Sequence, residues 1–325
     1  MPYFSIIIPV YNRPDEVNDL LESLSKQTYK DFEVIIVEDG STVCCADAVK
    51  RYASIVDIHY YYKENEGRSI ARNYGLERAV GSYFIFFDSD CVIPEGYFEA
   101  LNAVLNRHYT DCFGGPDAAH DSFSDVQKAI NYSMTSFLTT GGIRGAKVQL
   151  EKFTPRTFNM GFSREVYARV GGFREMFSED IDMSTRIRQA GFGISLIRDA
   201  FVYHKRRISM RLFFRQIYIF GMSRISLYLL YPDTLKLVHW FPACFVIGTL
   251  AMIIASFFWW PAILPLVIYL FAVFLVSWCV NKRLKIAALS VVASIIQLGG
   301  YGMGFLKAFF YKVLLGRGRD EAEEV

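Results

Sequence analysis

The run YFIFFDSDCVIPEG (residues 83–96) sets two carboxylates, Asp88 and Asp90, one residue apart at the end of an apolar stretch. Two chemistries fit. Asp is common in turns, so a turn after a buried strand accounts for the pair without further purpose. Alternatively, two acids on a tight turn present oxygens to a hard divalent cation, Mn2+ or Mg2+. Such an ion, held by one or two carboxylates, keeps positions open for substrate phosphates. The second reading places a nucleotide diphosphate at this point.

The elements that must position these acids are legible as short apolar runs: YFSIIIPV (3–10), FEVIIVE (32–38), VDIHYYYK (56–63) and SYFIFFD (82–88). Helix-like segments lie near 14–28, 43–53 and 67–80, the first opened by Pro14-Asp15-Glu16, which suits a first helical turn. Strands alternating with helices predict βαβ units and a mostly parallel sheet, with ligands at the carboxyl ends of its strands. Polar residues stand at those ends: Tyr11-Asn12-Arg13, Glu38-Asp39-Gly40-Ser41 and Asp88-Ser89-Asp90. Further on, residues 94–136 read as helical and mixed, and 139–157 as a long loop or short hairpin. The reading continues with helices over 163–173, closing at Gly171-Gly172, and over 178–192 with Ser178 as N-cap, then a strand over 193–204.

Composition bounds the rest. With 35 Lys and Arg against 33 Asp and Glu among 325 residues, the charge balance argues against a nucleic-acid partner. No Asp, Glu, Lys or Arg occurs from Leu237 to Asn281 or from Ile286 to Leu306. A bilayer crossing needs roughly 20 apolar residues, so the C-terminal third reads as membrane. The segment WWPAILP (259–265) predicts two crossings, about 238–258 and 262–280, with NKRLK (281–285) on the cytoplasmic side. The third segment is expected to cross by its length, although four glycines between 299 and 304 also allow a re-entrant bend. Arg207, Arg211 and Arg215, at steps of four, share one face of a basic helix suited to anionic lipid. The N-terminus lacks the features of a signal peptide. The six cysteines have no metal spacing and read as unpaired thiols in a reducing compartment. GGYGMG lies in apolar sequence and reads as close helix packing, and no G-x-G-x-x-G follows the first strand, which disfavours a nicotinamide enzyme.

Five segments together resemble family 2 glycosyltransferases of the GT-A fold: SIIIPVYNR (5–13), VEDGS (37–41), NEGRSIARNYG (65–75), FDSDC (87–91) and SEDIDMSTRIRQAGF (178–192). The resemblance covers roughly residues 3–205. It implies an α/β GT-A domain over 1–205, followed by the amphipathic interfacial helix (206–232), transmembrane helices (233–315) and a charged tail (316–325). It also implies the site. Pro9 and Tyr11 look like the wall against the uracil base, and Asp39 like the acid that accepts hydrogen bonds from it. Arg72 matches the nucleotide-site arginine, with Arg68 a neighbour, and Ser89 lies between the two acids at the nucleotide. Asp88 and Asp90 match the D-x-D metal ligands, Asp180 the catalytic base, and His204 a histidine that completes the metal shell in some relatives. Glu179 is the rival base. Asp182 is read as a structural partner of Arg186 or Arg188.

The implied activity is inverting transfer of a sugar from a UDP-sugar donor, assisted by Mn2+ or Mg2+. Arg68, Arg72, Arg206 or Arg207 would supply donors to the phosphates. The Q-x-x-R-W of processive synthases is absent from RRISMRLFFRQIYIFGMSR (206–224), so a single-addition enzyme is expected. Its acceptor would be a lipid-linked or membrane-held glycan. The expected location is a bacterial inner membrane, with the catalytic domain cytoplasmic. The alternatives are a polyprenyl-phosphate sugar synthase and a noncatalytic nucleotide-sugar-binding subunit.

Overall fold

The computed structural model describes residues 3–118, 120, 123–141, 153–205 and 209–317. The chain forms two compact units. One comprises Met1–His120 with Lys152–Lys205, the other Asp121–Glu151 with Arg206–Val325.

In the first unit, β1 (Phe4–Val10), β2 (Phe32–Asp39) and β3 (Ile58–Lys63) lie parallel, and β4 (Tyr83–Phe86) joins the other side of β1. They are crossed by α1 (Pro14–Ser25), α2 (Ala46–Tyr52) and α3 (Arg68–Arg78). The sequence dictates this because β1 is apolar on both faces. Phe4, Ile6, Ile8 and Val10 pack with Val17, Leu20, Leu21 and Leu24 of α1. Ile7 faces the opposite side with Ala71 and Leu76 of α3. Each fully buried isoleucine contributes about 1.5–3 kcal/mol, and a strand buried on both faces belongs in the interior of a covered parallel sheet.

After β4 the chain forms β5 (Cys91–Val92), α4 (Tyr97–Arg107), β6 (Cys112–Gly114) and β7 (Asp117–Ala118). Residues 160–204 add β8 (Met160–Ser163), α7 (Arg164–Val170), α8 (Glu179–Gln189), β9 (Ile194–Leu196) and β10 (Val202–His204). The large sheet has the order β3-β2-β1-β4-β8-β6-β9, and a small one the order β5-β10-β7. The single strand expected over 193–204 is therefore two strands in two sheets. Arg198 and Asp199 make a turn between them, the usual place for a polar pair between apolar runs. Helix α7 ends as expected at Gly171, whose φ is 81°. Ser178 occupies the N-cap position of α8 without a capping hydrogen bond, at φ 68°. N-caps take extended backbone, and this left-handed residue departs from that geometry.

The second unit is helical. Helix α5 (Asp125–Thr135) opens on a capping box between Ser124 and Gln127, and α6 (Phe137–Thr140) follows. Then come α9 (Met210–Leu230), α10 (Phe241–Ser256), α11 (Leu264–Asn281) and α12 (Leu284–Ala308), which runs on as a π-turn over Phe309–Leu314. Among the described residues, three helical stretches are long and apolar enough to cross a membrane: Leu237–Ser256, Trp260–Asn281 and Leu284–Leu314. The break at 259–265 exposes Trp259 and Trp260. Helix α12 runs unbroken through its glycines. These glycines serve packing. A Cβ on Gly302 would lie 2.2 Å from the Pro242 carbonyl oxygen, and one on Gly304 2.0 Å from that of Tyr218. Close backbone approach through small residues is how helices associate where lipid replaces water. On α9, Phe213 and Ile217 are buried while Arg211 and Arg215 are exposed. Arg206 and Arg207 lie outside the described residues, as does most of the 139–157 loop. All six cysteines are free thiols.

Candidate active site

The parallel strands deliver their polar ends to one edge of the first unit. At the end of β2, Asp39 is buried and accepts hydrogen bonds from Lys63 Nζ (2.9 Å) and from the backbone N–H groups of Glu66 (3.1 Å) and Gly67 (2.9 Å). The carboxylate thereby fixes the loop that leads into α3. Burial works against the Lys63 charge, but its bonds to Glu66 and Asp39 outweigh that and hold the proton more tightly than usual. Gly40 turns the chain at φ 73°, and a Cβ there would lie 2.5 Å from Asn65 N. One position earlier, the buried carboxylate of Glu38 accepts from the Cys45 N–H (2.9 Å), the Tyr60 hydroxyl (3.2 Å) and Ser41. Asn12 Oδ1 ties the β1 end to the same loop by accepting from the N–H groups of Thr42 (2.8 Å) and Val43 (3.0 Å). Pro9 lies in β1 opposite Val37, and Tyr11 beyond it is half exposed.

The D-x-D follows β4. Asp90 is joined to His204 by the small sheet, in which His204 pairs with Cys91. The result is 3.1 Å between His204 Nε2 and Asp90 Oδ1, while Arg13 Nη1 donates to Asp90 Oδ2 at 3.2 Å. The His204 ring stacks on Phe158, with centroids 4.5 Å apart. Ligand atoms of Asp90, Cys91 and His204 all lie within 4.8 Å of one another. The Cys91 thiol donates to the Phe158 carbonyl at 3.5 Å, and a soft sulfur ligand does not suit Mn2+ or Mg2+. A carboxylate beside an imidazole fits a divalent cation such as Mn2+. Asp88 stands outside this cluster, with Oδ1 on Arg72.

Arg72 links the D-x-D loop to α8. Its buried guanidinium donates to Asp88 Oδ1 (2.8 Å) and to Glu179 Oε1 (2.9 Å). Burial, the largest single influence, opposes the Arg72 charge, but the two carboxylates outweigh it and bind the proton more firmly. Arg68, from the same face of α3, grips Glu179 through Nε and Nη2, both at 3.0 Å. Glu179 is thus bound by two arginines. Asp180, next along, accepts from the Ile181 N–H at 2.8 Å and faces Arg156 Nη1 at 3.3 Å. Asp182 is fully buried and bound to Arg186 Nε (2.8 Å) and Arg174 (3.3 Å). Arg188 instead donates to the Phe153 carbonyl at 2.6 Å.

Two groups of the expected residues are therefore brought together: Arg68, Arg72 and Asp88 around Glu179, and Asp90 with His204. Ser89 is buried between the two acids of the turn. The sequence placed Arg13 among the polar residues after the first strand without giving it a partner, and the structure sets it on Asp90. Arg156 was not singled out, and no local pattern marks it.

Comparison with known proteins agrees with this architecture. The family model described as Glycosyl transferase family 2 matches residues 5–171. The glycosyltransferase AglE of Haloferax volcanii is 24% identical over 267 residues, covering 77% of this chain and 82% of that protein. A glycosyltransferase of Rickettsia felis is 44% identical over 90 residues, which are 26% of this chain and 14% of that protein. The matches to the rickettsial and pneumococcal relatives span only 12 to 16% of those proteins' lengths. Among solved structures, the mannosyltransferase PcManGT from Pyrobaculum calidifontis, in complex with GDP-Man and Mn2+, superposes with a TM-score of 0.63 at 17% identity, covering 92% of this chain and 87% of that one. TarS 1-349 of S. aureus, in complex with UDP-GlcNAc, gives 0.51 at 18% identity, over 94% and 91%. At these identities the likeness is one of fold, a GT-A-like α/β core followed by helices. The match over more than half the residues identifies the chain as a member of glycosyltransferase family 2.

Proposed function

We propose that the protein transfers a sugar, with inversion, from a nucleotide donor to a membrane-held acceptor, one residue at a time. The observation that carries this reading is the meeting of Asp88, Arg72 and Glu179. It joins the D-x-D loop to the start of the helix that bears Asp180. Asp39 and the Pro9-Tyr11 segment are assigned to the base of a UDP donor. Asp88, Ser89, Arg68 and Arg72 are assigned to the diphosphate side. Asp90 and His204, with Asp88 nearby, would hold Mn2+ or Mg2+, which supplies charge stabilisation to a leaving diphosphate. Asp180 accepts the proton of the attacking hydroxyl, a role Glu179 is unsuited to while two arginines hold it. That proton transfer typically contributes about 10²–10⁴-fold. The apolar helices support an acceptor that is itself in the membrane, and exposed Arg211 and Arg215 support contact with anionic lipid. A screen of nucleotide sugars for nucleoside diphosphate release by the purified protein, with and without chelator, tests the proposal. Release from none of them would leave the noncatalytic reading.

A second reading has one observation in its favour. Arg156 sits against Asp180, and a guanidinium there suits an acceptor that is already anionic. A polyprenyl phosphate needs no base, so turnover that survives Asp180→Asn would select it.

A further inference from the structure

The helical unit contains a cavity of about 580 Å3. That volume falls within the roughly 300–1,000 Å3 of small-molecule sites. Its walls include Phe137 and Leu138 of α6, Phe245 and Met252 of α10, Leu266 of α11 and Leu298 of α12. Each of the three stretches long and apolar enough to cross a membrane contributes to them. The walls are tied to one another. The Tyr269 hydroxyl donates to the Leu138 carbonyl at 3.1 Å, joining α11 to α6, and the Tyr269 ring meets that of Phe245 on α10 edge to face, with centroids 6.0 Å apart. From α5, the Tyr132 hydroxyl donates to the Val273 carbonyl of α11 at 3.3 Å. The lining is mostly apolar. Thr139 and Thr140 also line it, but their hydroxyls donate to backbone carbonyls, that of Thr139 to Ser133 and that of Thr140 to Ser136 at 3.1 Å. Gln297 of α12 differs from them. It lines the same cavity, and its Oε1 is buried and meets no donor among the described residues.

We propose that this cavity binds a hydroxyl-bearing glycolipid, with its hydrocarbon chain along the apolar walls and a hydroxyl of its head donating to Gln297 Oε1. The inference rests on the reading of a membrane-held acceptor and names the chemical class of that acceptor. Three properties of the site select the occupant. Apolar walls forfeit dispersion contacts unless a hydrocarbon chain packs on them. A buried amide oxygen without a donor is costly, and a hydroxyl supplies the donor that a bare chain or a choline phosphodiester lacks. Finally, no described residue that lines the cavity is Lys, Arg, Asp or Glu. A phosphate at the chain's end would therefore find no cationic partner there, which favours an uncharged sugar head over a polyprenyl phosphate.

The test is photolabelling of the full-length protein in detergent, without nucleotide. Three probes carry a diazirine at the chain end: glucosyl dioleoylglycerol, dioleoylphosphatidylcholine and a polyprenyl phosphate. Peptide mass spectrometry locates the label. The glucosyl lipid is expected to mark the cavity segments of α6, α10 and α11. Its labelling should fall about 2- to 10-fold in Gln297→Leu, which keeps the side chain's bulk and removes one hydrogen bond. Met252→Trp, which fills the cavity, should abolish it. Should the variants fold poorly, competition on wild type decides the matter. Unlabelled glucosyl lipid should suppress the signal, and the choline lipid at the same concentration should not. Equal labelling by the glucosyl and choline lipids, unchanged in Gln297→Leu, overturns the inference and leaves an ordinary membrane lipid. Preferential labelling by the polyprenyl phosphate overturns it in favour of a charged isoprenoid, and absence of label from the cavity segments ends it. Because labelling needs no turnover, a protein that labels as expected but releases no nucleoside diphosphate keeps this site and loses the transfer reading.

Discussion

Arg72 and Asp88 are joined at 2.8 Å by a guanidinium that is almost wholly withdrawn from solvent, and its other arm reaches Glu179 at 2.9 Å. A single side chain therefore ties the loop after β4 to the first residue of α8. Removing one partner from a buried ionic network leaves uncompensated charge, a loss of about 3–5 kcal/mol. Arg72→Ala is expected to lower the denaturant midpoint by a corresponding amount. Arg72→Lys should not restore it, since an ammonium lacks the planar fork that spans two carboxylates. Equilibrium unfolding of the three proteins is the check, and equal midpoints for wild type and Lys variant would show that the bridge is unimportant.

Asp180→Asn keeps the shape of the side chain and removes its basicity. With a neutral hydroxyl acceptor, kcat should fall about 10²–10⁴-fold, while donor affinity stays near that of wild type. A matched loss of donor binding would instead assign Asp180 to holding the fold of the site through Arg156. Steady-state kinetics alongside calorimetry separates the two.

In the helical unit the close crossing of α12 with α9 depends on Gly304. Gly304→Ala would place a methyl 2.0 Å from the Tyr218 carbonyl oxygen, so the helices must move apart. Overpacking of this kind costs about 1–3 kcal/mol. A thermal melt in detergent should show the loss. The same change at Gly299, where a Cβ meets nothing within 4 Å, should be nearly silent.

Asp125 holds the start of α12 through Lys285 (3.0 Å) and Arg283 (2.9 Å). The hydrogen bond from Lys285 is the largest influence on its carboxyl; burial opposes it, and the charges of Arg283, Lys285 and Lys128 add to it, so the carboxyl sits below its ordinary value. A depressed carboxyl contributes stability above its unfolded pKa, about 4, and loses it as the pH falls through the lower folded value. Wild type should thus melt slightly above Asp125→Asn at pH 7, and the gap should close in acid. A gap that widens in acid would reverse the sign of this account.

The strand runs and the D-x-D were legible because each is a local pattern: a buried β strand is a short apolar run, and its end is a turn. Asp182 was legible in the same way, since Arg186 lies one helical turn on. The pairing of Asp90 with His204 came only from resemblance, because 114 positions separate them and β5 is two residues long. The split of 193–204 into β9 and β10 was hidden by the continuous apolar character on either side of Arg198-Asp199. Arg72 was read as a phosphate donor from its motif, and its grip on Glu179 depends on how α8 packs against α3, which no local pattern records.

The central claim is that the edge formed by Asp88, Asp90 and His204 holds the diphosphate of a sugar nucleotide through a divalent cation. Calorimetric titration of UDP and of GDP into the purified protein with Mn2+, repeated with chelator and with Asp90→Ala, tests it most directly. The account predicts saturable binding of one nucleotide in wild type, lost both on chelation and in the variant. Undiminished binding in the variant and in the presence of chelator would contradict it.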